Sequence, residues 1–82
     1  MNAENRRRLR CAKNDNDWAA VQIAADGCLE YEPFDGALHL DLGKAYLERG
    51  RLDHACFALQ CAYELLPNRS DIRETLEELM KS

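Results

Sequence analysis

The sequence predicts an all-α fold made of antiparallel helical hairpins laid side by side, and three observations carry that prediction. Apolar residues recur three and four apart in five successive segments, the spacing that places them on one face of a helix. No stretch alternates apolar and polar residues as a half-buried strand would. Turn-forming clusters separate the five segments, and the second half of the chain echoes the first at a fixed offset.

The first helix is predicted over 4–14 and is dominated by Arg6-Arg7-Arg8-Leu9-Arg10. Asn14-Asp15-Asn16-Asp17 ends it, and Asp17 is placed to cap a second helix over 17–31 by accepting a backbone N–H. Gly27 inside that helix costs about 1 kcal/mol relative to alanine, which points to close contact with a neighbouring helix. Pro33 and Asp35-Gly36 form the next break, with Asp35 capping a third helix over 36–49. Arg49-Gly50-Arg51 then turns the chain into a fourth helix over 52–65. Pro67-Asn68-Arg69-Ser70 precedes a fifth over 70–80, where Ser70, Asp71 and Glu74 favour a helix start through amide acceptance and the helix dipole.

Eighty-two residues with a formal net charge of -4 and 46% hydrophobic residues suit one small domain rather than several. No run approaches the roughly 18 to 20 apolar residues of a membrane-spanning helix, and Met1 to Arg10 is too polar for a secretory signal. The expected location is the cytoplasm, without membrane association. The four cysteines, Cys11, Cys28, Cys56 and Cys61, lie within helical patterns and form no Cys-x-x-Cys pair. They read as small buried thiols rather than as a disulfide framework. His39 and His54 lack the spacing to cysteine that a zinc site uses, so no metal or other cofactor is expected.

At an offset of 34 residues, Asn16 falls on Gly50, Trp18 on Leu52, Val21 on Ala55, Ala25 on Leu59, Cys28 on Ala62 and Pro33 on Pro67. The same offset carries Leu38 onto Ile72, Leu42 onto Leu76, Ala45 onto Leu79 and Tyr46 onto Met80. The chain therefore reads as two hairpins, about 2–35 and 36–69, followed by a capping helix over 70–82. Within the second hairpin, Leu42, Gly43, Tyr46, Ala55, Leu59 and Pro67 stand in an order and spacing that resemble the tetratricopeptide repeat, whose period is about 34 residues. His39 occupies the place where that family usually has Trp, and Leu59 the usual Phe position. The first hairpin departs from the pattern at Leu9 and Ala12, where Gly and Tyr are expected. The physical sense of the motif is close packing. Gly43 and Ala55 let two helices approach while Tyr46 and Leu59 fill the space beside them.

The resemblance implies a right-handed superhelix whose concave face, lined by the first helix of each hairpin, holds a peptide or helix of a partner protein, as an adaptor or chaperone-like module does. Carried onto this sequence it nominates Arg6, Arg10 and Lys13, then Leu40, Lys44 and Leu47, then Asp71, Glu74 and Glu78 as partner-binding residues. The implied groove runs from basic through apolar to acidic and would set a ligand's direction. A co-chaperone type of carboxylate clamp would fall on Arg6, Arg10, Asp41, Asp71 and Thr75, where two carboxylates would repel the ligand's own.

Each feature also has a plainer reading. The arginine run also suits a solvated terminal helix, Leu40 and Leu47 an inter-hairpin core, and Glu74, Glu77 and Glu78 the soluble face of an end cap. Trp18, Tyr46, Phe57 and Tyr63 read as core. So short an array is marginal by itself, which makes a homo-oligomer, or an assembly subunit that contacts only its own copies, the alternative to a partner-protein binder. Net acidity, and the lack of a cation recurring in every unit, argue against nucleic acid. No nucleophile, phosphate-loop or metal motif nominates catalytic residues, so no enzyme activity is expected.

Overall fold

The computed structural model describes residues 3–81 and is all-helical, with no strand among them. Five helices follow the chain: α1 (Ala3–Asn14), α2 (Trp18–Leu29), α3 (Gly36–Glu48), α4 (Leu52–Leu65) and α5 (Ser70–Lys81). The predicted extension of the outer units to residues 2 and 82 lies outside the described residues. Each helix packs on its neighbours in chain order, α1 on α2, α2 on α3, α3 on α4 and α4 on α5. The result is elongated, 38 × 23 × 18 Å, as expected when elements are added along one direction.

The turns of the two hairpins are built alike. Asn16 (φ 55°) and Gly50 (φ 75°) both take the left-handed conformation, which asparagine and glycine tolerate best. The amides that follow close the same bonds: Asp17 N donates to Ala12 O at 2.9 Å and Arg51 N to Tyr46 O at 2.9 Å. Asn16 N reaches Lys13 O at 3.2 Å and Gly50 N reaches Leu47 O at 3.1 Å. This is the Schellman arrangement, in which a left-handed residue lets the last helical carbonyls find donors. The exits from α2 and α4 match as well. Glu32 N donates to Cys28 O at 3.0 Å and Leu66 N to Ala62 O at 2.8 Å, while Asp35 N reaches Glu32 O at 3.2 Å and Arg69 N reaches Leu66 O at 3.1 Å.

The predicted caps divide. Asp17 accepts from Ala20 N at 3.3 Å and Asp35 from Ala37 N at 3.0 Å, as expected. Ser70 is the first residue of α5 rather than its cap, and Asp71 faces Arg69, whose Nε and terminal nitrogen donate to the two carboxylate oxygens at 3.0 and 2.8 Å. Helix α2 ends at Leu29, two residues before the predicted limit, because the amides of Tyr31 and Glu32 both turn back to Cys28 O ahead of Pro33.

Two apolar clusters share α3. The first gathers Leu9 and Ala12 of α1, Val21, Ala24, Ala25 and Cys28 of α2, Leu38, Leu42 and Ala45 of α3, and Ala58. The second gathers Leu40, Leu59, Ala62, Ile72 and Leu76. Burial follows the 34-residue offset: Val21 and Ala55 are both 0% exposed, Cys28 and Ala62 both 0%, Leu38 and Ile72 2% and 1%. Two expectations about the core are corrected. Phe57 is 71% exposed and borders the open cleft between α3 and α4 rather than joining either cluster, whereas Trp18, Tyr46 and Tyr63 do pack against the clusters. Of the cysteines only Cys28 is buried; Cys11 is exposed and Cys56 and Cys61 are half-buried, and all four are free thiols. No described helix is long and apolar enough to cross a membrane.

Candidate functional site

Helices α1, α3 and α5 are related by the 34-residue offset, and a groove opens between each consecutive pair. The α1/α3 groove, about 410 Å³, is lined by Arg6, Arg10, Lys13 and Asn14 against Ala37, Leu38 and Asp41, with Leu9 and Asp35. The α3/α5 groove, about 260 Å³, is lined by Leu40, Lys44, Leu47 and Glu48 against Asp71, Ile72 and Thr75, with Trp18 and Leu59. Seven of the nine residues in each lining correspond at the same offset of 34: Arg6 with Leu40, Arg10 with Lys44, Lys13 with Leu47, Asn14 with Glu48, Ala37 with Asp71, Leu38 with Ile72 and Asp41 with Thr75. One surface is thus made twice, with different side chains each time.

Seven of the nine nominated residues line these grooves: Arg6, Arg10 and Lys13 in the first, and Leu40, Lys44, Leu47 and Asp71 in the second. Glu74 and Glu78 line neither. They are the counterparts of Leu40 and Lys44 at the 34-residue offset, and no helix follows α5 among the described residues. Leu40 is a floor rather than a projecting contact: it is 8% exposed and packs with Leu59, Ile72 and Leu76. Leu47 packs at the margin of the same cluster and stays half-exposed.

The expected gradient from basic to acidic is corrected by ion pairing. Arg6 pairs with Glu32 and reaches Asp35 at 3.4 Å, and Lys13 reaches Asp41 at 3.3 Å. These contacts tie α1 to the start of α3 and neutralise much of the basic end. Arg10 and Lys44, which hold equivalent positions, are both exposed and have no ion-pair partner among the described residues. At the far end, hydrogen bonds from Arg69 hold the Asp71 carboxyl below the ordinary carboxylate value, with smaller contributions from the amides of Asp71 and Ile72. The two carboxylates of the clamp positions, Asp41 and Asp71, therefore both have cations of their own.

Glu48 and Trp18 join the site without having been nominated, and Thr75, named only as a clamp position, joins them. Thr75 and Glu48 follow from moving Asp41 and Asn14 by 34 positions, so that signal was present in the sequence. Trp18 comes from α2 and carried no such signal. His39 does not enter either groove; its Nε2 lies 2.9 Å from Pro33 O and its ring faces the opposite side of α3. No group of three or more His, Cys, Asp or Glu is placed to hold a metal ion among the described residues. Burial pushes the Cys28 thiol up, which keeps it protonated and unreactive. Searches of protein-family models and of curated proteins found no match to this chain.

Proposed function

We propose that this chain is a tetratricopeptide-like interaction module, an adaptor or chaperone-like protein that holds a peptide or helix of a partner along the inner face of α1, α3 and α5. A right-handed superhelix of antiparallel hairpins is the arrangement this reading assigns to the five helices. The observation that carries it is the pair of grooves in which seven of the nine lining residues correspond at an offset of 34 residues. A repeated groove gives an extended ligand equivalent footholds at successive units, which a single pocket does not.

Within that reading, Arg10 and Lys44 supply the attractive charge, because their neighbours Arg6 and Lys13 are occupied by carboxylates. Leu47 supplies an apolar contact at the groove edge. The ligand class is a segment with carboxylates toward α1 and α3 and an apolar side chain between them. Nucleic acid fits poorly, since the chain is net acidic and no cation recurs in every unit.

Capture from cell lysate with mass spectrometry tests the surface. Arg10→Glu with Lys44→Glu is expected to abolish capture while helical circular dichroism is unchanged; undiminished capture rejects the inner face. Leu40→Glu is unsuitable because it would place a charge in the core. Sedimentation of the isolated chain separates the alternative: an assembly subunit gives a mass that rises with concentration, and a partner-binding module does not.

A further inference from the structure

The opposite, outer side of the molecule is also made twice. On α2 and its cap, Ala19, Ile23, Asp26 and Glu30 form an exposed stripe; on α4, Asp53, Phe57, Gln60 and Glu64 form its counterpart at the same offset of 34. Ile23 is 73% and Phe57 71% exposed, so each unit presents one large apolar side chain at the same place. Each borders an equivalent cleft between the two helices of its hairpin, about 370 Å³ beside Ile23 and about 340 Å³ beside Phe57.

Scattered apolar residues on a surface need no explanation. A repeat of the same exposure at the same register is different, and so is its charge. Neither α2 nor α4 contains a lysine or arginine, whereas α1 alone contains five. Asp26, Glu30, Asp53 and Glu64 have no ion-pair partner among the described residues, in contrast to Asp35 and Asp41 on the inner face. Among the described residues, Arg8 is the one cation lining the first cleft and is engaged by Glu4 at 2.9 Å, while Arg49 is held on α2 by Gln22 Oε1. His39 and His54 border the second.

We propose that this outer face docks a basic amphipathic helix of a partner protein, with Ile23 and Phe57 as the apolar anchors and Asp26, Glu30, Asp53 and Glu64 meeting its lysines and arginines. Charge complementarity selects this occupant: a neutral or acidic helix would leave four carboxylates facing apolar or like-charged side chains. Partial burial, and then the neighbouring Glu30, push the Asp26 carboxyl above its ordinary value. The proposal goes beyond the inner groove and does not depend on it.

The test uses the whole chain and a synthetic helix with leucines three and four apart and lysines elsewhere, beside a scrambled peptide of the same composition. Fluorescence anisotropy is expected to show binding of the ordered helix that weakens about tenfold with Phe57→Ser or Ile23→Ser, the loss of one buried anchor. Binding should also weaken as salt rises and with Asp26→Lys combined with Glu30→Lys, while Lys44→Glu on the inner face leaves it unchanged. All four outer positions are exposed, so circular dichroism should stay native. Equal binding of the scrambled peptide, or loss with Lys44→Glu but not with Phe57→Ser, overturns the proposal. A concentration-dependent mass abolished by Phe57→Ser also overturns it, because a second copy would then be the occupant. Failure of the inner-face reading would leave these outcomes unaffected, so the two are separable.

Discussion

Leu59 occupies the space that a side chain at Gly43 would need: a Cβ built there lies 2.8 Å from both Cγ and Cδ2 of Leu59. Leu59 is 1% exposed and belongs to the cluster that joins α3, α4 and α5. The approach of α3 to α4 is therefore bought by the absence of one methyl group, and the same leucine carries the contact onward to Ile72.

Gly43→Ala is expected to lose up to about 2 kcal/mol net, since overpacking of a core costs about 1 to 3 and alanine returns about 1 in helix propensity. Gly27→Ala should behave oppositely. There the new Cβ meets only the Asn5 side-chain amide at 3.1 Å, which is half-exposed and can turn aside. Urea unfolding of both variants measures the contrast, and equal losses would refute it.

The two left-handed turn residues lead to a matched pair. Gly50→Ala forces a Cβ into the left-handed region and should cost about 1 to 2 kcal/mol, although nothing lies within 4 Å of the new atom. Asn16→Gly keeps the conformation and should change stability by less than about 0.5 kcal/mol. Denaturation midpoints distinguish a backbone effect from a packing one, because only the backbone term is available at Gly50.

Leu40 and Lys44 lie one helical turn apart and line one groove, yet their substitutions should differ in kind. Leu40→Ala removes buried volume and is expected to cost about 2 to 5 kcal/mol. Lys44→Glu touches an exposed side chain and should stay within about 0.5 kcal/mol. Thermal unfolding followed at the helical signal reads both, and a large loss with Lys44→Glu would show that the lysine is structural.

Stability should depend on pH through Asp26. Its carboxyl is raised in the folded protein, first by partial burial and then by Glu30. The folded state therefore holds the proton more tightly than the unfolded one, and stability falls as pH rises from the ordinary aspartate value of 3.8 through the raised folded value. Above that window the ionised group opposes folding by a constant amount. Asp26→Asn is expected to raise the melting temperature at pH 7 and to make no difference below the window; a stabilisation that persists in acid would assign the effect to something other than charge. The position near the end of α2 acts in the same direction, because a carboxylate there opposes the helix dipole.

Asp71 has the opposite sign. Arg69 holds its carboxyl low, so its contribution is present above the ordinary aspartate value and is lost as pH falls through the lowered one. Asp71→Asn should therefore destabilise at neutral pH and be silent in acid, a reversal of the Asp26 result that the same titration of melting temperatures would display.

Much of the lining of the two grooves was legible in the sequence. Moving along the chain by 34 residues relates Arg10 to Lys44 and Lys13 to Leu47, and both pairs line equivalent grooves. Glu74 and Glu78, the offset counterparts of Leu40 and Lys44, line neither groove, and no helix follows α5 among the described residues. Phe57 was misplaced as a core residue. Its spacing on α4 marks a helical face, but the face that the first-cluster residues cover contains Ala58 instead.

The five helices, their breaks and the 34-residue echo were determined by the sequence itself, since residue spacing, capping aspartates and the left-handed Asn16 and Gly50 act over a few neighbouring residues. Only the tertiary structure decided that Arg6 and Lys13 would be neutralised, that Leu40 would become floor and that Ile23 and Phe57 would be left uncovered. Those outcomes depend on which side chains from distant segments meet across a helix interface. Periodicity groups residues onto one face of a helix, but solvent or a neighbouring helix can cover that face, and the spacing is the same in both cases.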